Sequence, residues 1–405
     1  MKIYKNIICC RICKSKKLKE VLDLNNQPTA NQLTKNFYEK EHKIPLKLLF
    51  CEKCKTLQLS STVNSNYLFS KYVWVTNTSK VAREYCKLFV KRTNNITKKK
   101  INYVCEIASN DGTLLKEYKN IGYEILGVDP AKNISNEANK NNIKTLNGFF
   151  DYKLSNYIKN KFGKSDLIIA RNVIPHVENI HSVIKGIKNL LSKNGTVAIE
   201  FHYLDKIING LQYDSVYHEH IYYFSLKSIS HLFSLYGLHL FDFDKSPISG
   251  GSLVIYLSHL KRKKTIKLSK LIKLENRKAL NSYYRLKKFG LDCIKHKKDL
   301  IKIIDNLDGK ICGYGASARS STLLNFSQID YKKINFIIDK NPMKKGYFTP
   351  GTKIKIIPFR KNKLKNIQNV LLLAWNFKNE IINEFKLKKI KCKFILPLPN
   401  KIKIL

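Results

Sequence analysis

Apolar and polar positions change rhythm along the chain. From residue 101 short apolar runs recur: INYVCEIA (101–108), YEILGVDP (123–130), DLIIARNV (166–173) and TVAIEFHY (196–203). Between them lie turn clusters such as SNDG and helix-patterned stretches, one opening near TLLKEY and one around 179–192. Strands alternating with helices at this spacing predict a parallel sheet wound on both faces, with ligands at the carboxyl ends of its strands. Residues 262–305 are charged and helical in pattern, with no glycine between Gly251 and Gly290, and read as a connecting segment. The alternation then returns in KICGYGASARSSTLL (310–324), INFIIDKNP (334–342) and NVLLLAWNF (369–377). The expected fold class is therefore α/β, with two doubly wound Rossmann-like units.

The first 75 residues lack this alternation and carry another signal. Cys10-Arg-Ile-Cys13 and Cys51-Glu-Lys-Cys54 are two CxxC pairs, each able to grip one ion from a tight knuckle. Together they form the four-thiolate set of structural Zn2+, though the gap between knuckles is longer than in common zinc ribbons. A closed four-sulfur site has no open position for substrate, so this zinc is expected to hold the fold. Chance pairing of cysteines in a basic segment is the plainer alternative, and Cys9 is a bystander.

Composition adds limits. A chain of 405 residues predicts two or three domains. No run approaches the ~18 apolar residues of a membrane span, and MKIYKNIICCRICKSKK lacks the apolar stretch of a secretory signal. A cytoplasmic protein with reduced cysteines and no membrane partner is expected. The formal charge of +45 suggests a polyanion partner at first sight. Its lysines are spread along the whole chain, so a solvated surface is the simpler reading and no nucleic-acid partner is expected.

Two stretches carry candidate chemistry. In CEIASNDGTLL a turn follows a buried strand and opens a helix, which is where nucleotide-binding folds bring backbone close to a cofactor, but only Gly112 is a glycine. Asp129 ends the second strand, where an acid can accept ribose hydroxyls; a turn or cap before Pro130 is its ordinary alternative. Glu106 could equally be a buried, hydrogen-bonded acid. The second stretch, DSVYHEHIYYFSL, sets Tyr217, His218, Glu219 and His220 side by side. Strand alternation would send Tyr217 and Glu219 to one face and the histidines to the other. A metal there lacks an obvious third and fourth ligand.

Taken in order, CRIC, NNQPTANQL, PLKLLFCEKC, LFSKYVWVTNTS, EIASNDGTLL, GVDPAKN, ARNVIPHV, YDSVYHEHIYYFSL, SGGSL, GYGASARSSTLLNF, DKNPMKKGYFTPGT and LLLAWNF resemble the sugar C-methyltransferases that act on nucleotide-linked 4-keto-6-deoxyhexoses. The resemblance runs nearly end to end. It implies a zinc-binding module (1–75), a class I S-adenosylmethionine methyltransferase domain (76–258), a helical connector (259–305) and a C-terminal Rossmann-like domain (306–405). It implies zinc ligands at Cys10, Cys13, Cys51 and Cys54. Glu106, Ala108, Asn110, Gly112, Asp129 and Asn172 fall at positions lining the S-adenosylmethionine pocket. His220, with Tyr217, Glu219 and His176, falls in the catalytic cluster, and Tyr72 or Trp74 would close over the acceptor.

The chemistry so implied is removal of a proton next to a ketone by a neutral imidazole, then methyl transfer to the carbon. Glu219 could fix the tautomer of a neighbouring imidazole, and Tyr217 or His176 could bond the ketone oxygen. The partner is a nucleotide-diphosphate sugar in deoxysugar biosynthesis, and a monomer is expected. Departures from the family pattern are Ser249 for His, Val254 for Arg, Arg319 for Lys, and Ser320-Ser321 for Gly-Asn; Arg319 could still bind a diphosphate. A sugar O-methyltransferase is the alternative within the class. A zinc-ribbon nucleic-acid-binding protein with a degenerate methyltransferase fold is the alternative outside it.

Overall fold

A computed structural model describes residues 3–69, 80–97 and 101–405; Tyr72 and Trp74 lie outside them. The run INYVCEIA forms the strand Tyr103–Ile107, whose five residues are all buried. Such a strand, apolar on both faces, is stable only where helices cover both sides of the sheet. Its sheet has seven strands, in the spatial order 239–246, 252–258, 191–202, 165–171, 103–107, 124–129, 145–147. The last five run parallel, and 252–258 pairs antiparallel with both of its neighbours. Strand order reverses between 103–107 and 165–171, and such a switch point opens a crevice at the carboxyl ends.

The C-terminal half repeats the plan. Its six strands lie in the order 356–357, 337–338, 311–314, 369–372, 393–396, 403–404, parallel except for the last pair. Here the order reverses between 311–314 and 369–372. The helix Ala318–Ser327 follows the first of these, started by a Ser317–Ser320 capping box. The fold class is thus α/β with two doubly wound sheets, preceded by the cysteine-bearing unit.

That unit is a small antiparallel sheet of Leu18–Gln27, Ile44–Cys51 and Leu57–Leu59, whose fourth strand is Tyr222–Tyr223. Pairing of Tyr222 with Gln58 and Tyr223 with Leu57 ties the HEH segment to the N-terminal unit. The two strands between the knuckles account for the long cysteine gap. Cys10 and Cys54 have sulfurs 3.5 Å apart, as do Cys13 and Cys51, and all four lie within 4.8 Å of one another. Zinc–sulfur bonds of about 2.3 Å in a tetrahedron separate sulfurs by about 3.8 Å, so the set fits zinc with little movement. Gln58 donates to Cys10 Sγ at 3.2 Å, the kind of outer contact that orients a thiolate ligand. The charge of Arg11, inside the first knuckle, is buried on the carbonyls of Leu59 and Ser61 at 2.6 and 2.9 Å.

The connecting segment is two helices, Ile266–Arg277 and Tyr283–Asp305. The longer one crosses the N-terminal sheet at Gly290, where an added Cβ would lie 2.1 Å from the Val21 carbonyl oxygen. Its buried His296 meets Tyr213 Oη at 3.0 Å and the Pro397 carbonyl at 2.7 Å, stapling the central loop to the C-terminal unit.

Candidate functional site

Both switch points open onto one cavity of about 1760 Å³. A single small-molecule pocket spans about 300–1,000 Å³, so the space suits a cofactor and a second ligand together. Residues at and past the ends of 103–107 and 165–171 line one side, among them Ala108, Asn110, Arg171 and Asn172. Ser317, Arg319, Ala374 and Asn376, past the ends of 311–314 and 369–372, line the other.

On the first side the backbone is unusual. Ala108, Asn110 and Asn172 have φ of 52°, 52° and 54°, and Gly112 has 76°. Left-handed backbone at alanine is strained, and such strain clusters at ligand sites. Gly112 is required twice over: besides its φ, a Cβ there would sit 2.5 Å from Ile143 Cγ2. Asp129 holds this turn, its two oxygens accepting from the Asn110 and Ala131 amides at 2.9 Å each. The turn role weighed for Asp129 is therefore present, while the carboxylate still lines the cavity. Gly112 shapes the turn from behind and does not line the cavity.

Glu106 sits below the turn, 3.2 Å from the part-buried Arg171 guanidinium. Its Oε2 is buried with no hydrogen-bond partner among the described residues. Burial pushes its pKa up to about 7 against the pull of Arg171. An acid so poised ionises when a cation arrives beside it. Cavity volume, left-handed turn and orphaned carboxylate oxygen together fit a bound S-adenosylmethionine.

The HEH segment forms no strand. His220 N bonds the Tyr217 carbonyl at 2.9 Å in a tight turn, which ends the expected alternation and brings Tyr217, Glu219 and His220 to the same cavity. His218 points away, its Nε2 on the Ile44 carbonyl at 3.2 Å. His220 Nδ1 lies 3.0 Å from the Ser215 carbonyl, which can only accept, so Nδ1 carries the proton and Nε2 the lone pair. Tyr217 donates its hydroxyl to that lone pair at 2.8 Å. For His220 the tautomer is thus fixed by the Ser215 carbonyl. Burial and the neighbouring His176 and His202 rings hold the His220 pKa well below its ordinary value, so the ring is neutral.

His176 ends the short turn Ile174–His176, its ring 4.6 Å from that of His220 and its pKa lowered by burial to about 4. Glu219 accepts from Asn31 of the N-terminal unit at 2.6 Å, and burial raises its pKa to about 7. Arg319 lines the far wall, but its guanidinium is clamped by Asp214 at 2.7 and 2.9 Å and lies over the Trp375 ring. A carboxylate already balances the charge expected to meet a diphosphate, because Asp214 reaches it first from the loop before Tyr217. The sequence reading missed Asn31, His202 and Glu200. Glu200 and His202 had a visible signal, two polar residues two apart at the end of the apolar run that starts at Val197.

Comparison with known proteins finds three matching segments. Residues 10–69 match a family described as a zinc binding domain, residues 78–241 a methyltransferase domain, and residues 247–399 a C-methyltransferase C-terminal domain. The chain is similar to the C-methyltransferase NovU of Streptomyces niveus, with 27% identity over 400 residues covering 96% of this chain and 95% of that one. Among solved structures it is similar to an S-adenosylmethionine-dependent methyltransferase from Clostridium acetobutylicum, with a TM-score of 0.35 and 13% identity over 44% of this chain and 91% of that one. A second, from Archaeoglobus fulgidus, has a TM-score of 0.35 and 14% identity over 43% of this chain and 93% of that one.

Proposed function

We propose that this chain, whose segments match a zinc binding domain, a methyltransferase domain and a C-methyltransferase C-terminal domain, is an S-adenosylmethionine-dependent C-methyltransferase that methylates C3 of a nucleotide-linked 4-keto-deoxysugar. The observation that carries the reading is the lone pair of His220 Nε2, fixed by Ser215 and facing a cavity that both switch points share. Glu106, Ala108, Asn110, Asp129 and Asn172 would hold the cofactor, and Gly112 would shape its turn. S-adenosylmethionine bound there would supply an electrophilic methyl group, with a neutral thioether as the leaving group.

The residues of the chain do the rest. A ketone at C4 acidifies the C3 hydrogen and competes for the Tyr217 hydroxyl. When Tyr217 turns to the ketone oxygen, Nε2 of His220 is free to take the proton from C3. The pair released from that C–H bond delocalises onto the oxygen, where Tyr217 and His176 can stabilise the charge. It then forms the new carbon–carbon bond, with the proton left on His220. Burial that excludes water strengthens each of these contacts. Arg319, held by Asp214, shapes the acceptor side.

Incubation with methyl-labelled S-adenosylmethionine and a thymidine diphosphate 4-keto-6-deoxyhexose tests the reading. A label attached to ring carbon in the product's carbon NMR spectrum is the expected result. Attachment to oxygen would replace it with hydroxyl methylation.

A further inference from the structure

Three imidazoles line the cavity, and the scheme above uses two. The third, His202, ends the strand Leu191–His202. Alternation along that strand puts it on the same side as Glu200. Glu200 is already satisfied there, accepting from Tyr85 and Ser246 at 2.9 and 2.5 Å. His202, one step nearer the carboxyl end, is 7% exposed. Its Nε2 is buried without a hydrogen-bond partner among the described residues. Native interiors keep few such atoms without a reason, and a ligand is a common one.

The neighbours decide what chemistry that atom offers. The Gln212 amide is anchored, its Nε2 donating to the Gly250 carbonyl and its Oε1 accepting from Arg319, each at 3.3 Å. The Gln212 side chain works against the drop in the pKa of the His202 ring. A neutral imidazole carries a proton on one nitrogen and a lone pair on the other, and a hydroxyl can meet either. Burial and the Arg319 charge lower the ring's pKa to about 3, so no second proton joins it. A neutral, unpartnered ring nitrogen calls for a neutral partner such as a hydroxyl.

We propose that His202 Nε2 hydrogen-bonds a ring hydroxyl of the acceptor sugar, making His202 a specificity-determining residue that favours hydroxylated over deoxygenated sugars. The inference rests on the nucleotide-sugar reading above. A site built to bond a hydroxyl rejects the analogue lacking it, because the buried nitrogen is then left unpaired.

The test is calorimetric binding to the full-length, zinc-loaded protein with S-adenosylhomocysteine present. The probes are thymidine diphosphate 4-keto-6-deoxyglucose, its 2-deoxy and 3-deoxy counterparts, and thymidine diphosphate alone. Wild type should bind one of the deoxy sugars on the order of tenfold more weakly than the parent, the worth of one buried hydrogen bond. His202→Ala should bind parent and deoxy sugars alike. His202→Gln, which keeps an acceptor, should restore part of the preference. Thymidine diphosphate should bind wild type and variants equally. A His202→Ala protein that keeps the preference, a wild type that shows none, or a loss seen with thymidine diphosphate alone would each overturn the inference. If the preference behaves as expected but wild type forms no carbon-methylated product, His202 stands as an acceptor contact and the carbon-methylation reading fails. A wild type that binds none of the probes rejects both.

Discussion

A carbonyl oxygen has no proton to give, and that elementary fact assigns the lone pair of His220 Nε2 through Ser215. The same reasoning gives Glu219 a different task. Burial pushes its pKa up to about 7, while the Asn31 amide stabilises the charged carboxylate. Asn31→Ala removes that contact, so the Glu219 transition should move above 7. Turnover at neutral pH should then fall by about 1–3 kcal/mol of barrier, the cost of orphaning a buried charged acceptor. A pH profile of kcat/KM checks it, and an unshifted acid limb would show that Glu219 ionisation does not govern the rate. Glu106 invites a second measurement. Burial holds it partly protonated near pH 7, and a cationic cofactor should drive the proton off. Calorimetry of S-adenosylmethionine binding in buffers of different ionisation enthalpy should therefore report proton release near pH 7 that Glu106→Gln abolishes.

At the scale of elements, local pattern and non-local pairing divide what the sequence discloses. INYVCEIA, GVDP and KICGYG declare their strands because apolar runs between turn residues need no distant partner to be recognised. The pairing of Tyr222–Tyr223 with Leu57–Leu59 has no such mark, since two residues carry no period. Nor does the Asn31–Glu219 bond, whose ends are 188 residues apart in sequence. Strand alternation fails at Tyr217–His220 because a turn, bonded through the Tyr217 carbonyl, replaces it. Gly290 is a further case: nothing in its charged helix announces that the Val21 carbonyl lies against it. Gly290→Ala should force helix and strand apart and lower stability by about 1–3 kcal/mol, the usual cost of overpacking. Chemical denaturation measures this, and a midpoint equal to wild type would deny the close approach.

Across the whole molecule, the cysteine-bearing unit acts on the cavity although it lies outside both wound sheets. Its sheet includes Tyr222–Tyr223, and its loop supplies Asn31. Cys13→Ser should therefore lower zinc content, thermal midpoint and turnover together. Full turnover without zinc would uncouple the two. Acid should also weaken the fold. His176, His202 and His218 have folded pKa values lowered to about 4, 3 and 4 by burial. Their contribution is complete above the unfolded value near 6.5 and is lost as pH falls toward those folded values. The raised values of Glu106 and Glu219 act in the opposite sense between about 4.5 and 7. Across the described residues six histidines are lowered against five carboxylates raised, so the thermal midpoint should fall on going from pH 7 to 5.

The measurement that bears most directly on the central claim is loss of the C3 hydrogen itself. A 4-keto nucleotide sugar is held with the enzyme and S-adenosylhomocysteine in deuterated buffer, so that no methyl transfer competes. Wild type should exchange the C3 hydrogen with solvent. His220→Ala should not, while its affinity for S-adenosylmethionine remains that of wild type. Exchange at the wild-type rate in His220→Ala would contradict the assignment of that imidazole as the base.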